Sequence, residues 1–375
     1  MKLFDVYPLY DITPVSAEGV ILTDDKGQDY LDLYGGHAVI SIGHKHPHYV
    51  KRLKDQIDRI GFYSNAVQNP LQQALAKKLG SLSGCDDYQL FMCNSGAEAN
   101  ENALKLASFH TGKSRIVAFH NSFHGRTSAA VATTDNPAIN APINKQQKVT
   151  FLSFEDTPGL KQELKKDDVC AVIMEAIQGV GGLDEPSAGF YQEVAQICKE
   201  HEVVLIADEV QSGFGRSGKF FAYQHHAIEP DIISIAKGMG NGFPVGGILI
   251  HPKFKASYGM LGTTFGGNHL ACAATLAVLE VLEQENLISN AEKLGVYFKQ
   301  KANEIPQVKR VKGKGLMLGL EFDFEVAPLR KKLIYDQHVF TGSAKDKKVL
   351  RILPALTINK AHLNHFFDAL KQELS

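Results

Sequence analysis

Three ionisable side chains of this sequence stand at the ends of apolar segments. Glu175, Asp208 and Lys237 each come directly after a run of apolar residues typical of a buried strand. Because burial of a lone charge is unfavourable, side chains in such positions need a partner or a ligand. Any one of them could be a solubilising charge at a strand end, but three in one chain favour a functional cluster.

Lys237 lies in the segment SIAKGMGNGFPVGG. A desolvated lysine has a lowered pKa and then reacts readily with carbonyl compounds. The glycines that follow would let a planar ligand come close to the backbone. The segment therefore predicts a lysine that binds a carbonyl group covalently.

The sequence comes close to two nucleotide-binding motifs but matches neither. The segment GFGRSGK (213–219) resembles a phosphate-binding loop, but Phe220 follows it where a magnesium-binding hydroxyl is required. A dinucleotide motif G-x-G-x-x-G is broken by Phe243. Both kinds of nucleotide site are disfavoured.

The segment NSGAEAN (94–100) follows an apolar run and begins a helical pattern. Ser95 and Gly96 would leave backbone N–H groups free at the helix N-terminus, which suits a phosphate. Simple helix capping by Asn94 or Ser95 explains the same residues.

Apolar runs alternate with amphipathic stretches in the middle of the chain, which predicts a mainly parallel sheet with helices on both faces. The predicted strands are Gln89–Cys93, Arg115–Phe119, Val149–Phe154, Val169–Glu175, Val203–Asp208, Ile232–Ala236 and Gly247–Ile250. Ligands bind at the carboxyl ends of such strands, where Glu175, Asp208 and Lys237 stand. The chain from about Leu270 predicts a smaller α+β unit with strands over Lys314–Phe322 and near Val339 and Arg351. We place an N-terminal segment that joins the small domain at 1–50, the large domain at 51–255, and the rest of the interface and the small C-terminal domain at 256–375.

Composition excludes several classes of protein. The chain has 375 residues, a formal net charge of −1 and ordinary fractions of hydrophobic and charged residues, so nucleic acid and anionic membranes are not expected partners. No apolar stretch is long enough to span a bilayer, and no secretory signal is visible. Five scattered cysteines without a C-x-x-C pattern are typical of reduced thiols, so we expect a cytoplasmic location.

Several motifs in order resemble one family over nearly the whole chain. They are YLDLYGGHAVISIGHKHP, NSGAEANENALKLA, FHNSFHGRT, DEVQSGFGRSGKFFAYQ, PDIISIAKGMGNGFPVG and GTTFGGN. The chain resembles the class-III (subgroup II) pyridoxal-phosphate aminotransferases, most of all the acetylornithine and succinylornithine aminotransferases of arginine biosynthesis. The resemblance implies an α/β protein of the aspartate-aminotransferase-like fold type I, a homodimer with shared active sites, and pyridoxal 5′-phosphate as cofactor.

The resemblance also implies roles for individual residues around the cofactor. Lys237 would hold it covalently, and Asp208 would pair with its pyridine nitrogen. A carboxylate there keeps the nitrogen protonated, so that the ring can accept electrons from a substrate carbanion. The remaining cofactor-binding residues that the resemblance implies are Ser95, Gly96, Ala97, Phe123, Gln211 and Thr264, of which Thr264 would reach the cofactor phosphate of the other subunit.

Two arginines are implied to bind substrate carboxylates. Arg126, in HGRT, resembles the carboxylate-binding arginine, and Arg351, in LRILPAL, resembles the one that takes the α-carboxylate of 2-oxoglutarate or glutamate. A guanidinium group binds a carboxylate through two hydrogen bonds. From the residues alone, both arginines would be taken for surface charges.

The sequence departs from the family pattern at four positions. Val180 replaces a glutamate that masks the second arginine in relatives of the ornithine type, and Ala176 replaces a proline. Arg351 would then stay unmasked, and one hypothesis is that the donor carries a second negative group such as a succinyl carboxylate. His37 and His269 are further departures near the expected site.

One cluster of histidines and one single histidine could form functional sites. His44, His46 and His48 lack clustered carboxylate or thiolate co-ligands, and the resemblance makes GHKHP a structural turn, so we expect no metal site. His124 could be catalytic or a structural histidine with satisfied hydrogen bonds.

The predicted function is transfer of the terminal amine of an N-acylated ornithine, acetyl or succinyl, to 2-oxoglutarate, giving the semialdehyde and glutamate. Ornithine, 4-aminobutyrate and other ω-amines are alternative donors. An aminomutase of the same class and a catalytically silent homologue are the alternatives of a different kind, and the intact set of Lys237, Asp208, Gln211 and Arg126 argues against the silent homologue.

Overall fold

A computed structural model describes all residues, 1–375. The N-terminal part forms three antiparallel strands, one tight turn and two helices. They are β1 (Pro14–Glu18), β2 (Ile21–Asp24), β3 (Asp29–Asp32), α1 (Pro47–Ile57) and α2 (Pro70–Ser83). Both helices begin with proline at the first helical position, where its missing N–H costs nothing, and α2 ends at Gly84 with φ +75°.

A seven-stranded sheet forms the centre of the molecule. Its strands are β4 (Gln89–Cys93), β5 (Arg115–Phe119), β6 (Val149–Leu152), β7 (Val169–Met174), β8 (Val204–Asp208), β9 (Ile232–Ile235) and β10 (Gly246–Ile250). They lie in the order β4-β10-β9-β8-β7-β5-β6, and all run parallel except β10, which is antiparallel to both of its neighbours. Every predicted strand of this sheet is present, with ends that differ by up to two residues.

Four helices belong to this central part. They are α3 (Gly96–Thr111), α4 (Ser128–Ala132), α5 (Thr157–Leu164) and α6 (Ala188–Glu200). Strands β5, β7 and β8 are buried along their whole length, as expected for a parallel sheet covered on both faces. The mainly parallel fold predicted from the alternating pattern is confirmed.

The C-terminal part contains four helices and five short strands. They are α7 (His269–Gln284), α8 (Leu287–Ala302), β11 (Arg310–Lys314), β12 (Met317–Glu321), α9 (Ala327–Tyr335), β13 (Val339–Phe340), β14 (Gly342–Ser343), β15 (Val349–Ile352) and α10 (Lys360–Leu374). The strand predicted over Lys314–Phe322 is present as β12, which begins three residues later, whereas β11 was not predicted. A hairpin separates two strands there because Gly315 turns the chain with φ +56°, and a Cβ at this glycine would lie 2.4 Å from Ser217.

The two ends of the chain meet in one sheet. Strand β3 pairs in parallel with β13, which joins the N-terminal segment to the C-terminal part. The division into domains, with boundaries at residues 50 and 255, stays a prediction. No helix is long and apolar enough to cross a membrane. All five cysteines are free and buried.

Candidate active site

A cavity of about 330 Å³ opens at the carboxyl ends of the central strands. Lys237 follows β9, Asp208 ends β8, and Glu175 follows β7, so the parallel strands bring all three ionisable groups to one edge of the sheet. Of the residues predicted for the site, those that line the cavity are Ser95, Gly96, Ala97, Phe123, Arg126, Asp208, Gln211 and Lys237. Thr264 and Arg351 do not line it.

Lys237 is partly buried and has a strained backbone. Its φ of +48° lies in the left-handed region, which non-glycine residues rarely adopt and which typically costs about 1–3 kcal/mol. Burial lowers the pKa of its ammonium group, an effect opposed by the nearby Asp208 and Glu175 and reinforced by Arg351. A lowered pKa increases the fraction of neutral amine, which is the nucleophilic form.

The carboxylate of Asp208 is held by three hydrogen bonds. Its Oδ2 accepts from Nδ1 of His124 at 2.7 Å and from Nδ2 of Asn100 at 2.7 Å, and its Oδ1 accepts from the N–H of Val210 at 3.0 Å. Because an ionised carboxylate can only accept, His124 carries its proton on Nδ1. Asn100 also donates to the carbonyl of His124 at 2.7 Å, so it ties the histidine and the aspartate together.

The N-terminus of α3 presents free backbone donors to the cavity. Ser95 caps the helix by accepting from the N–H of Glu98, whereas the N–H groups of Gly96 and Ala97 have no partner in the chain. Gly96 is packed so tightly that a Cβ would lie 2.5 Å from Val210. Two free donors at the positive end of a helix dipole are suited to a phosphate.

Glu175 connects the cavity to Arg351 through two backbone groups. Its Oε1 accepts from the N–H of Phe123 at 2.9 Å, and its Oε2 accepts from the N–H of Gly179 at 3.0 Å. The carbonyl of Gly179 in turn accepts from NH1 of Arg351 at 2.9 Å. The pKa of Glu175 is raised to about 7, because burial and the nearby Asp208 raise it by more than His124 and the two backbone hydrogen bonds lower it.

The two candidate substrate arginines differ in their surroundings. Arg126 is exposed at the cavity and forms no ion pair within the chain. Arg351 is buried beside the cavity, its Nε has no hydrogen-bond partner, and it too has no carboxylate partner. Val180, which follows the carbonyl that holds Arg351, lines the cavity instead of an acid. A buried guanidinium without an anion is a ready carboxylate site.

Gln211 and Thr264 occupy different environments. Gln211 donates from Nε2 to the carbonyl of His37 at 3.1 Å, and its buried Oε1 has no partner. Thr264 is exposed on the segment before α7, outside the cavity. Its predicted contact with a second subunit stays a prediction.

Some residues of the site were not assigned a role from the sequence. Asn100 was noted only as part of a motif, and Gly179 was not singled out. Asn100 bonds Asp208, which lies 108 positions away in the chain, and Gly179 bonds Arg351, which lies 172 positions away. No local sequence pattern could reveal such contacts. His44, His46 and His48 bond three separate carboxylates, those of Asp32, Glu285 and Glu280 respectively.

Comparison with known proteins identifies the family. The family model described as aminotransferase class-III matches residues 6–374. The chain belongs to the class-III aminotransferases. The acetylornithine aminotransferase of Bacillus subtilis is 40% identical over 380 residues, covering 100% of this chain and 98% of the relative. That of Aquifex aeolicus is 37% identical, covering 99% of each chain. The structure of an ornithine aminotransferase from Toxoplasma gondii matches with a TM-score of 0.91 and 26% identity, over 98% of this chain and 91% of that one.

This class-III aminotransferase depends on pyridoxal phosphate, and its residues fit that group. The unpartnered N–H groups of Gly96 and Ala97 would take the phosphate, and the unpartnered Oε1 of Gln211 would take the ring hydroxyl. Lys237 would hold the aldehyde carbon, and Asp208 would face the ring nitrogen. When bound, the group supplies an electron sink for a negative charge formed on a substrate carbon.

Proposed function

We propose that this aminotransferase moves the terminal amino group of an N-acylated ornithine, acetyl or succinyl, to 2-oxoglutarate in arginine biosynthesis. The observation that carries the proposal is the pair of arginines without carboxylate partners at the site of Lys237, Arg126 and Arg351. Two such cations suit a substrate with two carboxylates, as 2-oxoglutarate and glutamate have. The relatives named acetylornithine aminotransferases, which match along the whole chain, support the acyl donor.

The position of each site residue determines its role in the proposed reaction. Arg126, exposed at the cavity, binds the substrate carboxylate far from the reacting carbon. Arg351 binds a carboxylate on the reacting carbon itself. Lys237 is the only lysine that lines the cavity, so it takes the proton from the substrate carbon and returns it. Asp208 is held in one orientation by His124 and Asn100, so its negative charge stays fixed beneath the site.

A homodimer with shared active sites is part of the proposal. The segment that carries Thr264 also exposes Phe265, whose ring lies 5.5 Å from that of the exposed Phe62. Exposed aromatic side chains in contact favour a protein interface. A second subunit on this surface would bring a threonine to the partner's phosphate site.

We also propose a cytoplasmic location. The five cysteines are all free and buried, which fits a reducing compartment.

Ornithine itself, or another ω-amine, is the second candidate donor. The structural similarity to ornithine aminotransferases favours it, since one of them matches with a TM-score of 0.91. An aminomutase would differ in having no need for 2-oxoglutarate.

Half-reactions of the cofactor-loaded enzyme distinguish these donors. N-acetylornithine, N-succinylornithine, ornithine and 4-aminobutyrate are each mixed with the enzyme, and the loss of the cofactor's visible absorbance is followed. We expect the acylated ornithines to react fastest and 2-oxoglutarate to restore the absorbance. Equal rates with all four amines would remove the assignment to an acyl donor. Failure of 2-oxoglutarate to restore the absorbance would favour an aminomutase.

A further inference from the structure

Glu101 lies in the second turn of α3, and its carboxylate reaches across to the start of α4. Its Oε1 accepts from the N–H of Ala129 at 2.9 Å. Its Oε2 accepts from the hydroxyl of Thr127 at 2.7 Å and from the N–H of Ala130 at 3.1 Å. The first N–H groups of a helix need acceptors from outside the helix, and a negative charge suits them. Glu101 therefore caps the N-terminus of a neighbouring helix.

Thr127 stands at the N-cap position of α4, where a threonine side chain usually accepts from the helix. Here it makes no such bond, and its hydroxyl donates to Glu101 instead. The start of α4 is therefore held by α3 and not by its own N-cap side chain. The residue directly before Thr127 is Arg126, the arginine proposed to bind the substrate carboxylate far from the reacting carbon.

The chain on the other side of Arg126 is fixed to the same helix. Asn100 donates to the carbonyl two residues before Arg126 at 2.7 Å. Gly125 packs so closely on Ala97 that a Cβ would lie 2.8 Å from the Cβ of Ala97. Asn100 and Glu101 follow Ala97 by three and four residues, so all three lie on one face of α3. This face sets the backbone position of Arg126 from both sides.

We propose that Glu101 is a positioning residue that holds Arg126 at a fixed distance from the cofactor. The free N–H groups of Gly96 and Ala97, which suit the cofactor phosphate, stand at the start of the same helix. One helix thus fixes the phosphate at its N-terminus and, through Glu101, the arginine for the distal carboxylate. Neutral donors occupy both oxygens of Glu101, and the guanidinium stays free for the substrate. The inference rests on the proposed function, in which Arg126 binds that carboxylate.

The test compares N-acetylornithine with N-acetylputrescine, which is the same molecule without the carboxylate. Both present the same terminal amine to Lys237, but only N-acetylornithine can use Arg126. Glu101→Ala removes every contact to α4, whereas Glu101→Gln keeps one oxygen as an acceptor. The matched control is Glu155→Ala. Glu155 accepts from the N–H of Ser187 at 2.7 Å and from its hydroxyl at 2.8 Å, at the start of α6 and outside the cavity.

We expect Glu101→Ala to raise the apparent Kd for N-acetylornithine in the half-reaction about 10-fold with little change in the maximal rate, as for loss of a hydrogen bond to a charged group. The reaction of N-acetylputrescine should change by less than about 2-fold, because this amine makes no contact that Arg126 provides. Glu101→Gln should recover part of the loss, and Glu155→Ala should react with both amines like the wild type.

A double-mutant cycle adds a second readout. In the Arg126→Ala background, Glu101→Ala should have no further effect on N-acetylornithine, because Glu101 acts only through Arg126. A full effect of Glu101→Ala in that background would overturn the proposal.

Equal losses with both amines would also overturn it, since Glu101 would then only stabilise the fold. So would an apparent Kd for N-acetylornithine that is unchanged in both Glu101 variants. If Glu101→Ala does not fold, the comparison of the two amines in Glu101→Gln decides. A wild-type enzyme that does not react with N-acetylornithine would refute the proposed donor. Glutamate and 2-aminobutyrate, which lacks the distal carboxylate, would then serve as the pair that tests Glu101, so the two failures are distinguishable.

Discussion

The Nδ1 atom of His124 lies 2.7 Å from Oδ2 of Asp208, and both side chains are almost completely shielded from solvent. The opposite ring nitrogen of His124, Nε2, is buried without a partner. Because both side chains are buried, their hydrogen bond is shielded from solvent, and its main effect is to orient the Asp208 carboxylate.

Replacing His124 by asparagine should slow the reaction without abolishing it. Loss of a hydrogen bond to a charged group corresponds to about 1.5–3 kcal/mol, or roughly 10- to 150-fold in kcat. Asn100 still bonds Asp208 in the variant, so the carboxylate keeps part of its orientation. The measurement is kcat of both half-reactions, with the exposed His120→Asn as control. If kcat falls equally in His120→Asn, or does not fall in His124→Asn, the hydrogen bond from His124 to Asp208 does not contribute to the rate.

Lys237→Ala should prevent covalent attachment of the cofactor and reduce turnover by roughly 10²–10⁴-fold, the usual contribution of a positioned proton-transfer group. Borohydride reduction followed by peptide mass analysis should place the cofactor on the peptide that contains Lys237 in the wild type and on no peptide in the variant. Lys219, which is exposed, provides the control Lys219→Ala. A modified peptide in the Lys237→Ala protein would refute the assignment.

Gly179→Ala should damage the site although it adds only a methyl group. Its Cβ would lie 1.8 Å from Oε1 of Gln211, and the same residue links Glu175 to Arg351. We expect weaker cofactor binding and a higher KM for 2-oxoglutarate. The matched control is Gly189→Ala in α6, where nothing lies within 4 Å of the new Cβ. Alanine in a helix should stabilise that variant by about 0.5–1 kcal/mol, seen as a higher unfolding temperature. Normal activity of Gly179→Ala would contradict the packing described.

Glu175 should make the activity depend on pH near neutrality. Its pKa is raised to about 7 by burial, and the ionised form accepts hydrogen bonds from Phe123 and Gly179 most strongly. We therefore expect kcat/KM to rise with pH through about 7, and we expect Glu175→Gln to lack this ionisation. An identical pH profile in the variant would exclude Glu175 as its source, and the exposed Glu202→Gln is the control.

The same group has the opposite effect on stability. Because its folded pKa lies above the usual value of 4.5, the folded protein holds more protons than the unfolded chain between about pH 4.5 and 7. The contribution of Glu175 to the free energy of unfolding therefore decreases as pH rises through this window. Denaturant unfolding at several pH values would measure it.

Val180→Glu should place a carboxylate beside Arg351 and compete with the carboxylate of the substrate. We expect kcat/KM for glutamate to fall about 10-fold, as for loss of one charged hydrogen bond, with little change for N-acetylornithine. Val180→Gln introduces a side chain of the same size as glutamate but without its charge, and it serves as the control. Equal losses in the two variants would point to crowding and not to charge.

How far the sequence predicts the fold depends on how local the signal is. Each strand of the central sheet is an apolar run that needs no distant partner to be recognised, so β4 to β10 were all predicted. The hairpin between β11 and β12 was not predicted, because the predicted strand over Lys314–Phe322 matches β12 alone and runs through the turn at Gly315. Its turn is set by close packing against Ser217, a contact across 98 positions of the chain.

The site divides in the same way. Lys237, Asp208 and the helix start at Gly96 stand in local motifs, so the sequence by itself determined which residues to propose as the covalent lysine and the acid, while the family resemblance added the phosphate site. The tertiary structure alone decided that Glu175 accepts hydrogen bonds from Phe123 and Gly179, that Gly179 accepts one from Arg351, and that Gln211 donates to the carbonyl of His37. These contacts join residues far apart in the chain, and their distances depend on how the sheets pack, which no spacing along the sequence records.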